Sequence, residues 1–504
     1  MAARTAPNTG IPSRGKWLLM FYVGADNNLS ALFVDQLKAL KDAGFAQRVE
    51  VVVRFDSNEP DLKTLTFNVN KKRKHDLPHL PFQVGDGKDP FVRDMIDDLI
   101  ETEPDDLGAA DSLDRFIDYC VGKYKADHYM LFLLGHGLIV GNDSFLPDDF
   151  PKSGVTLKQL GRILRTHFGK DKRRPLELLG LHACAMSGIE VLYELQDTAK
   201  YMIGSEGLSF VNGWPYRQLV KSFLNGLRNR RTVEDIIERL YFLTFFNAKD
   251  FLLSGFTLEL SLISLDSNKV DRLTRKMRKL VQQLKAALDN PKGRDAIQLA
   301  HLKSQSYFGE LYTDLYDFCL CLKDQCTTQQ LRELAYACQG VINELKLKTG
   351  NLYQRFEGLI VHSNHFGWKS QYSHGLSIMF PWVEPRKNAK PEEQVMAMYE
   401  DYRFTQELGR RESWFSFLDK YFEKTMRCPP REIQDFSRFT EHRIKPNEKN
   451  WSDALENREK PTGASEKPTG GSDSSTCDCL SIKNFPRTHA SCPDDPNDDE
   501  LVIL

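Results

Sequence analysis

The chain has 504 residues, 41% of them hydrophobic and 27% charged, with a formal net charge of -2 at neutral pH. That balance supports a large buried core with room for two domains, and it excludes a general nucleic-acid or membrane-surface binder, which would carry excess basic charge. No stretch is long and apolar enough to span a bilayer, and residues 1–15 lack the apolar segment of a signal peptide.

The first buried strand is predicted over 16–23, followed by a turn and a helix whose apolar face carries Leu32, Leu37 and Leu40. Asp26, Asn27 or Ser30 could cap that helix, and turn chemistry is the plainer account of this polar cluster. A second strand is expected at 49–55 and an edge strand at 62–69. The basic run 71–74 has no aromatic residues interleaved and reads as a solvated loop. A helix over 111–124 then delivers the chain to the apolar run 128–138, which ends in Gly135, His136 and Gly137.

Residues 139–153 are polar, rich in Asp, Pro and Gly, and predict a long exposed loop. A helix over 156–168 leads into a second apolar run at 176–183, which ends at Cys184. Short unbroken apolar runs alternating with helices point to a mostly parallel α/β sheet, whose carboxyl edge is where ligands and chemistry sit. A histidine and a cysteine on adjacent strands can face each other across that edge, the imidazole taking the thiol proton. His136 precedes Cys184 by 48 residues, close to the order and spacing of caspases. The plainer account makes Cys184 a small buried hydrophobe and His136 a satisfied core histidine.

A helix over 188–201 and a short strand at 201–206 precede the loop 207–216, which carries Trp214 and would overhang the same crevice. Residues 218–246 read as one helical block and 258–265 as a strand; helices dominate as far as 348, a late strand ends at Pro381, and aromatic-rich helices close the folded part at 395–422. From about 427 to 504 the chain is polar, repeats Glu-Lys-Pro-Thr-Gly at 459–463 and 466–470, and reads as disordered, like residues 1–15. Ten cysteines without a regular framework suggest reduced thiols and a cytoplasmic protein. The nearest metal-like grouping, Cys477, Cys479, His489 and Cys492, lies in that tail and carries little weight for zinc.

Taken in order, residues 17–29, Leu134-Gly-His-Gly137, His182-Ala-Cys-Ala-Met186 with Glu190, and Gly204-Ser-Glu206 with Gly213-Trp-Pro-Tyr216 resemble the clostripain family of cysteine peptidases, relatives of the caspases. Leu262-Ile-Ser-Leu-Asp266, Tyr312-Thr-Asp-Leu315, Gly375-Leu-Ser-Ile-Met-Phe-Pro381 and residues 414–421 extend the resemblance over about 16–422. It implies a caspase-like α/β core over 16–216 and a mainly helical C-terminal domain over 217–426, between the disordered ends 1–15 and 427–504. It also implies endopeptidase chemistry on protein or peptide substrates, with His136 as catalytic histidine and Cys184 as nucleophile.

Gly137 and the Cys184 amide are the local oxyanion donors, and His182, Ser205, Glu206 and Trp214 the substrate-facing candidates. The family usually carries Asp two residues before the nucleophile. His182 stands there instead, and an imidazole cannot meet a substrate guanidinium with a full negative charge, which puts selectivity for basic residues in question. A structural imidazole under the nucleophile loop is the plainer role for His182.

Self-cleavage between His136 and Cys184 is expected, with Lys152 as the candidate site. No cofactor is required by this chemistry, although some relatives need calcium and the acidic stretch 143–149 could supply oxygen ligands. The other function considered is a catalytically silent caspase-like scaffold that binds partners through its tail.

Overall fold

The computed structural model describes residues 13–425, apart from 58–63, 70–82, 85–86, 89–100, 104–107, 138–144, 150–151, 251–256, 351, 385–394 and scattered positions within 28–45 and 171–175. Most of the expected N-terminal disorder, the basic run 71–74, the tail with its repeats, and the Cys477 to Cys492 grouping lie outside the described residues.

Nine strands form one mixed sheet: β1 (Trp17–Ala25), β2 (Val49–Ser57), β3 (Thr64–Asn68), β4 (Glu101–Glu103), β5 (His128–Leu134), β6 (Leu176–His182), β7 (Tyr201–Gly204), β8 (Leu258–Ser264) and β9 (Ile360–Phe366). Their order is β9-β8-β7-β6-β5-β1-β2-β3-β4. The central five, β7 to β2, run parallel. The outer strands are antiparallel, β8 and β9 at one end and β3 and β4 at the other. This is the mostly parallel sheet flanked by helices that the sequence pattern implied, and it fits the caspase-like core that the resemblance implied.

Both faces of the sheet are covered, which is why β1 and β6 are buried at every residue rather than at alternate ones. Side chains on successive positions enter opposite cores. Leu18, Met20 and Tyr22 pack with α1 (Ala109–Lys123), α2 (Leu157–Phe168) and α3 (Ile189–Leu195); Trp17, Leu19, Phe21 and Val23 pack with Phe33, Leu40, α4 (Tyr216–Arg228) and α5 (Val233–Asp250). Full burial of each large apolar side chain contributes about 1.5–3 kcal/mol, so these strands fix the sheet before any site residue is considered. The helices α6 (Ser267–Ala287), α7 (Pro291–Lys303), α8 (Leu315–Gln325) and α9 (Arg332–Leu345), with the terminal helix Trp414–Thr425, join the first core.

The block expected to be helical over 218–246 is helical, and it forms two helices. Arg230 has φ 53 between them, and the Thr232 hydroxyl accepts from the Asp235 amide to start the second. The boundary expected at residue 216 is not a break in the sheet, because β8 pairs directly with β7 and β9 with β8. The loop expected over 139–153 is in part a β-hairpin, Phe145–Asp149 against Lys152–Val155. Phe145 and Leu146 are buried in it, and that burial outweighs the polar composition of the stretch.

Candidate active site

Strands β5 and β6 lie side by side with Leu134 registered to His182, and the Gly135 amide donates to the His182 carbonyl at 3.3 Å. His136 and Cys184 each follow two residues later. Both therefore leave the sheet at the same level, at the carboxyl edge of adjacent parallel strands. The next residue on the histidine side, Gly137, lies against the nucleophile's own backbone. A Cβ at Gly137 would sit 3.0 Å from the Ala183 Cβ and 3.1 Å from the Cys184 amide nitrogen, and would collide with the Cys184 carbonyl oxygen. Only glycine permits that approach.

The histidine side is fixed from nearby. The Leu146 amide in the hairpin donates to the His136 carbonyl at 3.0 Å. The Asn27 side-chain amide donates to Pro147 O at 2.8 Å, and its oxygen accepts from the Leu29 amide at 3.0 Å, so Asn27 serves the turn after β1. Burial lowers the His136 pKa from 6.5 to about 4. The imidazole is therefore neutral at pH 7 and able to take a proton.

Cys184 is 2% exposed, and the Ser209 amide donates to its Sγ at 3.3 Å. The loop after β7 thus lies over the thiol. Ala185, directly after the nucleophile, is left-handed with φ 58, a conformation that costs a non-glycine residue roughly 1–2 kcal/mol. It is held by its amide donating to Gly207 O at 2.9 Å. Ser187 adds a second tie: its amide donates to Ser205 O at 2.9 Å, and its Oγ donates to Gly375 O at 2.8 Å and lies 2.6 Å from Ser261 Oγ.

His182, Ser205, Glu206 and Trp214 are buried, and the structure engages them in the support of the site rather than at its surface. His182 Nε2 lies 2.8 Å from Phe210 O and Nδ1 lies 2.6 Å from the Tyr216 hydroxyl, while its ring stacks on Trp214 with centroids 5.0 Å apart. A carbonyl can only accept, so Nε2 carries the hydrogen and Nδ1 accepts from Tyr216. Burial lowers the His182 pKa to about 3, in keeping with that neutral form. Ser205 accepts through its carbonyl from Ser187. Glu206 accepts through Oε2 from the Gly375 amide at 2.9 Å and the Tyr307 hydroxyl at 3.2 Å. Burial, with Asp314 and Glu259 nearby, pushes its carboxyl well above the usual range.

Sequence reasoning missed Ser187, Glu259, Ser261 and Tyr307 as supports of the nucleophile loop. One signal was available, since Glu259 is a lone carboxylate inside an apolar strand and is 3% exposed. Of the acidic stretch 143–149, Asp143 lies outside the described residues and Asp148 sits beside Ser153 Oγ at 3.5 Å. Among the described residues no group of three or more His, Cys, Asp or Glu is arranged to hold a metal ion.

Three comparisons bear on this site. Clostripain from Hathewaya histolytica is 25% identical over 211 residues, 38% of this chain and 37% of that protein, so the chain matches little more than a third of its relative's length. The structure of an inactive zymogen C11 protease from Parabacteroides distasonis superposes with a TM-score of 0.50 at 17% identity, covering 79% of this chain and 99% of that one. A secreted C11 cysteine protease from Bacteroides thetaiotaomicron, in complex with an irreversible peptide inhibitor, gives 0.50 at 15% identity, covering 81% and 99%. The model of the clostripain family matches residues 21–421, most of the folded chain and all of the site just described, and the chain belongs to that family.

Proposed function

We propose that the protein is a cysteine endopeptidase acting through a Cys184 and His136 dyad. The observation that carries this is the level exit of both residues from adjacent parallel strands, with Gly137 against the Cys184 backbone. Neutral His136 takes the Cys184 proton, and the thiolate attacks the scissile carbonyl. The imidazolium then returns the proton to the leaving amine, and water hydrolyses the acyl-enzyme. The Gly137 and Cys184 amides would be the donors to the developing oxyanion.

The Ser209 amide over the Cys184 Sγ is the reason to read this form as a resting one, from which the backbone beyond Gly207 moves off the thiol to admit substrate while Gly207 keeps its place. We assign the opening to a cut between His136 and Cys184; the P. distasonis protease that this chain resembles is an inactive zymogen. Lys152 begins the second arm of the hairpin, registered with Asp149, so that arm must unpair before its bond can lie extended in a site. The other basic stretch between the dyad residues is 170–174, where Lys170 and Lys172 are exposed. Because both His182 nitrogens are engaged, no preference for cleavage after Arg or Lys is expected. The six described cysteines are all free thiols, which suits the reducing cytoplasm expected for the protein.

The test is peptide-library hydrolysis with intact-mass analysis of wild type, Cys184→Ala and His136→Ala. Each variant should lose at least about a thousandfold in kcat/KM and stay uncut. A variant retaining a tenth of the activity would end the dyad assignment. A cut shared equally by all three proteins would assign processing to another protease and favour the silent scaffold.

A further inference from the structure

The nucleophile turn rests on a relay that begins at a carboxyl group outside the dyad. Glu259 Oε1 accepts from the Gly207 amide at 2.5 Å, and Gly207 O accepts from the Ala185 amide at 2.9 Å. Ala185 is the left-handed residue bonded to Cys184. The neighbour of Gly207 on one side, Glu206, is anchored to Gly375 and Tyr307; on the other side, two residues on, the Ser209 amide reaches the Cys184 Sγ. The segment 205–209 is thus the part that both props the turn and caps the thiol, and Glu259 grips its centre.

The surroundings make the grip specific. Glu259 lies on β8, two strands from the strand that carries Cys184, and is buried at 3% exposure with Ser370 Oγ at 3.5 Å. Gly207 sits directly over it: a Cβ there would lie 3.3 Å and 3.5 Å from the two carboxyl oxygens and 2.9 Å from the Tyr307 ring. No structural need of the strand itself calls for a carboxyl, since its neighbours Leu258, Leu260 and Leu262 fill apolar positions. A buried acid costs free energy unless its partners repay it, and here a main-chain amide of the site loop is the closest partner.

We propose that Glu259 is a positioning residue for the reaction, holding Gly207 and through it the Ala185 turn, so that Cys184 points its thiol at the carbonyl under attack. This rests on the peptidase reading above. The Gly207 amide without its acceptor would drift toward other partners, and the left-handed turn would relax. A misplacement of about 1 Å at a reacting group lowers a rate roughly a hundredfold while leaving remote substrate contacts intact. The effect should therefore fall on kcat and spare KM.

The experiment uses the full chain and a fluorogenic peptide chosen from the library, with labelling by a thiol-reactive peptidyl ketone as a second readout. Glu259→Gln keeps an acceptor at the same reach and should hold kcat within about threefold of wild type. Glu259→Leu keeps the volume without an acceptor and should lower kcat roughly 10–100-fold, with KM within about twofold and slower labelling. Glu259→Asp is a methylene too short to reach Gly207 and should behave like the Leu variant, which covers failure of the Leu variant to fold. Full kcat in folded Leu or Asp variants overturns the proposal, as does equal loss in the Gln and Leu variants. A wild type that neither hydrolyses nor is labelled brings down the peptidase reading, and the positioning role with it.

Discussion

His136 is held by its own strand and by the hairpin that follows it, whereas the turn at Cys184 rests on groups as far as Gly375, 188 residues from the Ser187 hydroxyl that meets it. The histidine side is therefore a product of β5, the segment 145–155 and the turn after β1, all in the N-terminal half. The cysteine side draws on β7, β8 and the region around 373–377, and so depends on packing in the C-terminal half. The difference teaches where each kind of damage should appear. A lesion in the C-terminal half should loosen the nucleophile while His136 stays in place, and the reverse should be rare.

The sharpest way to break that comparison is at Gly137, where the two sides pack backbone against backbone. Gly137→Ala drives a methyl into the Cys184 carbonyl oxygen and the Ala183 side chain, neither of which can yield without moving the nucleophile turn. We expect a loss of about a hundredfold in kcat/KM with the fold retained by circular dichroism. An active Gly137→Ala enzyme would mean that the two sides are not packed together during the reaction.

The pH dependence of kcat/KM separates the two sides by electrostatics. His136 must be neutral to take the thiol proton, and burial holds its pKa near 4 in the described form. Protonation disables it, so activity should be flat down to about pH 4 and fall about tenfold per unit below that. The stability sign agrees: the unfolded chain takes up this proton from pH 6.5 downward while the folded chain does not until about 4, so His136 contributes a loss of stability as pH falls through that window. An acid limb near 6.5 instead would show that the movement off Cys184 also wets the histidine before chemistry.

How much of this was legible in the residues divides along the same line. The apolar runs around 128–134 and 176–182 gave the parallel strands, and Gly135, His136, Gly137 and Cys184 stood out because small residues end those runs. The hairpin was hidden because Asp, Pro and Gly at 147–149 and 151–154 read as loop, while the burial that pairs the arms depends on Phe145 and Leu146 meeting β1. The role of His182 could be narrowed to a choice but not made, since only the fold brings Phe210 and Tyr216 to its two nitrogens. Glu259 gave one signal, a lone carboxylate in an apolar strand, but the supports from Ser261, Tyr307 and Gly375 were invisible because their partners are distant in the chain and their residue types are ordinary. Serine and glycine in an apolar strand announce nothing until a partner is known.

The smallest effects give the finest comparison, because the same chemical deletion can be made on both sides. Thr156→Ala removes a capping box at the start of α2, where the Thr156 hydroxyl accepts from the Gln159 amide at 3.1 Å and the Gln159 side chain accepts from the Thr156 amide at 2.8 Å. That should cost about 1 kcal/mol of stability and leave kcat unchanged, because α2 lies between the hairpin and β6 and touches neither reactive group. Ser187→Ala removes a hydroxyl of similar size that joins Gly375 O to Ser261 Oγ beneath the nucleophile turn. The buried acceptor it leaves behind should cost about 1–3 kcal/mol, and kcat should fall several-fold as well. Chemical denaturation and initial rates at saturating peptide measure both quantities in the same preparations. If the two alanine variants lost stability alike and neither lost kcat, the C-terminal half would be a clamp on the fold only, and the cysteine side would be as local as the histidine side.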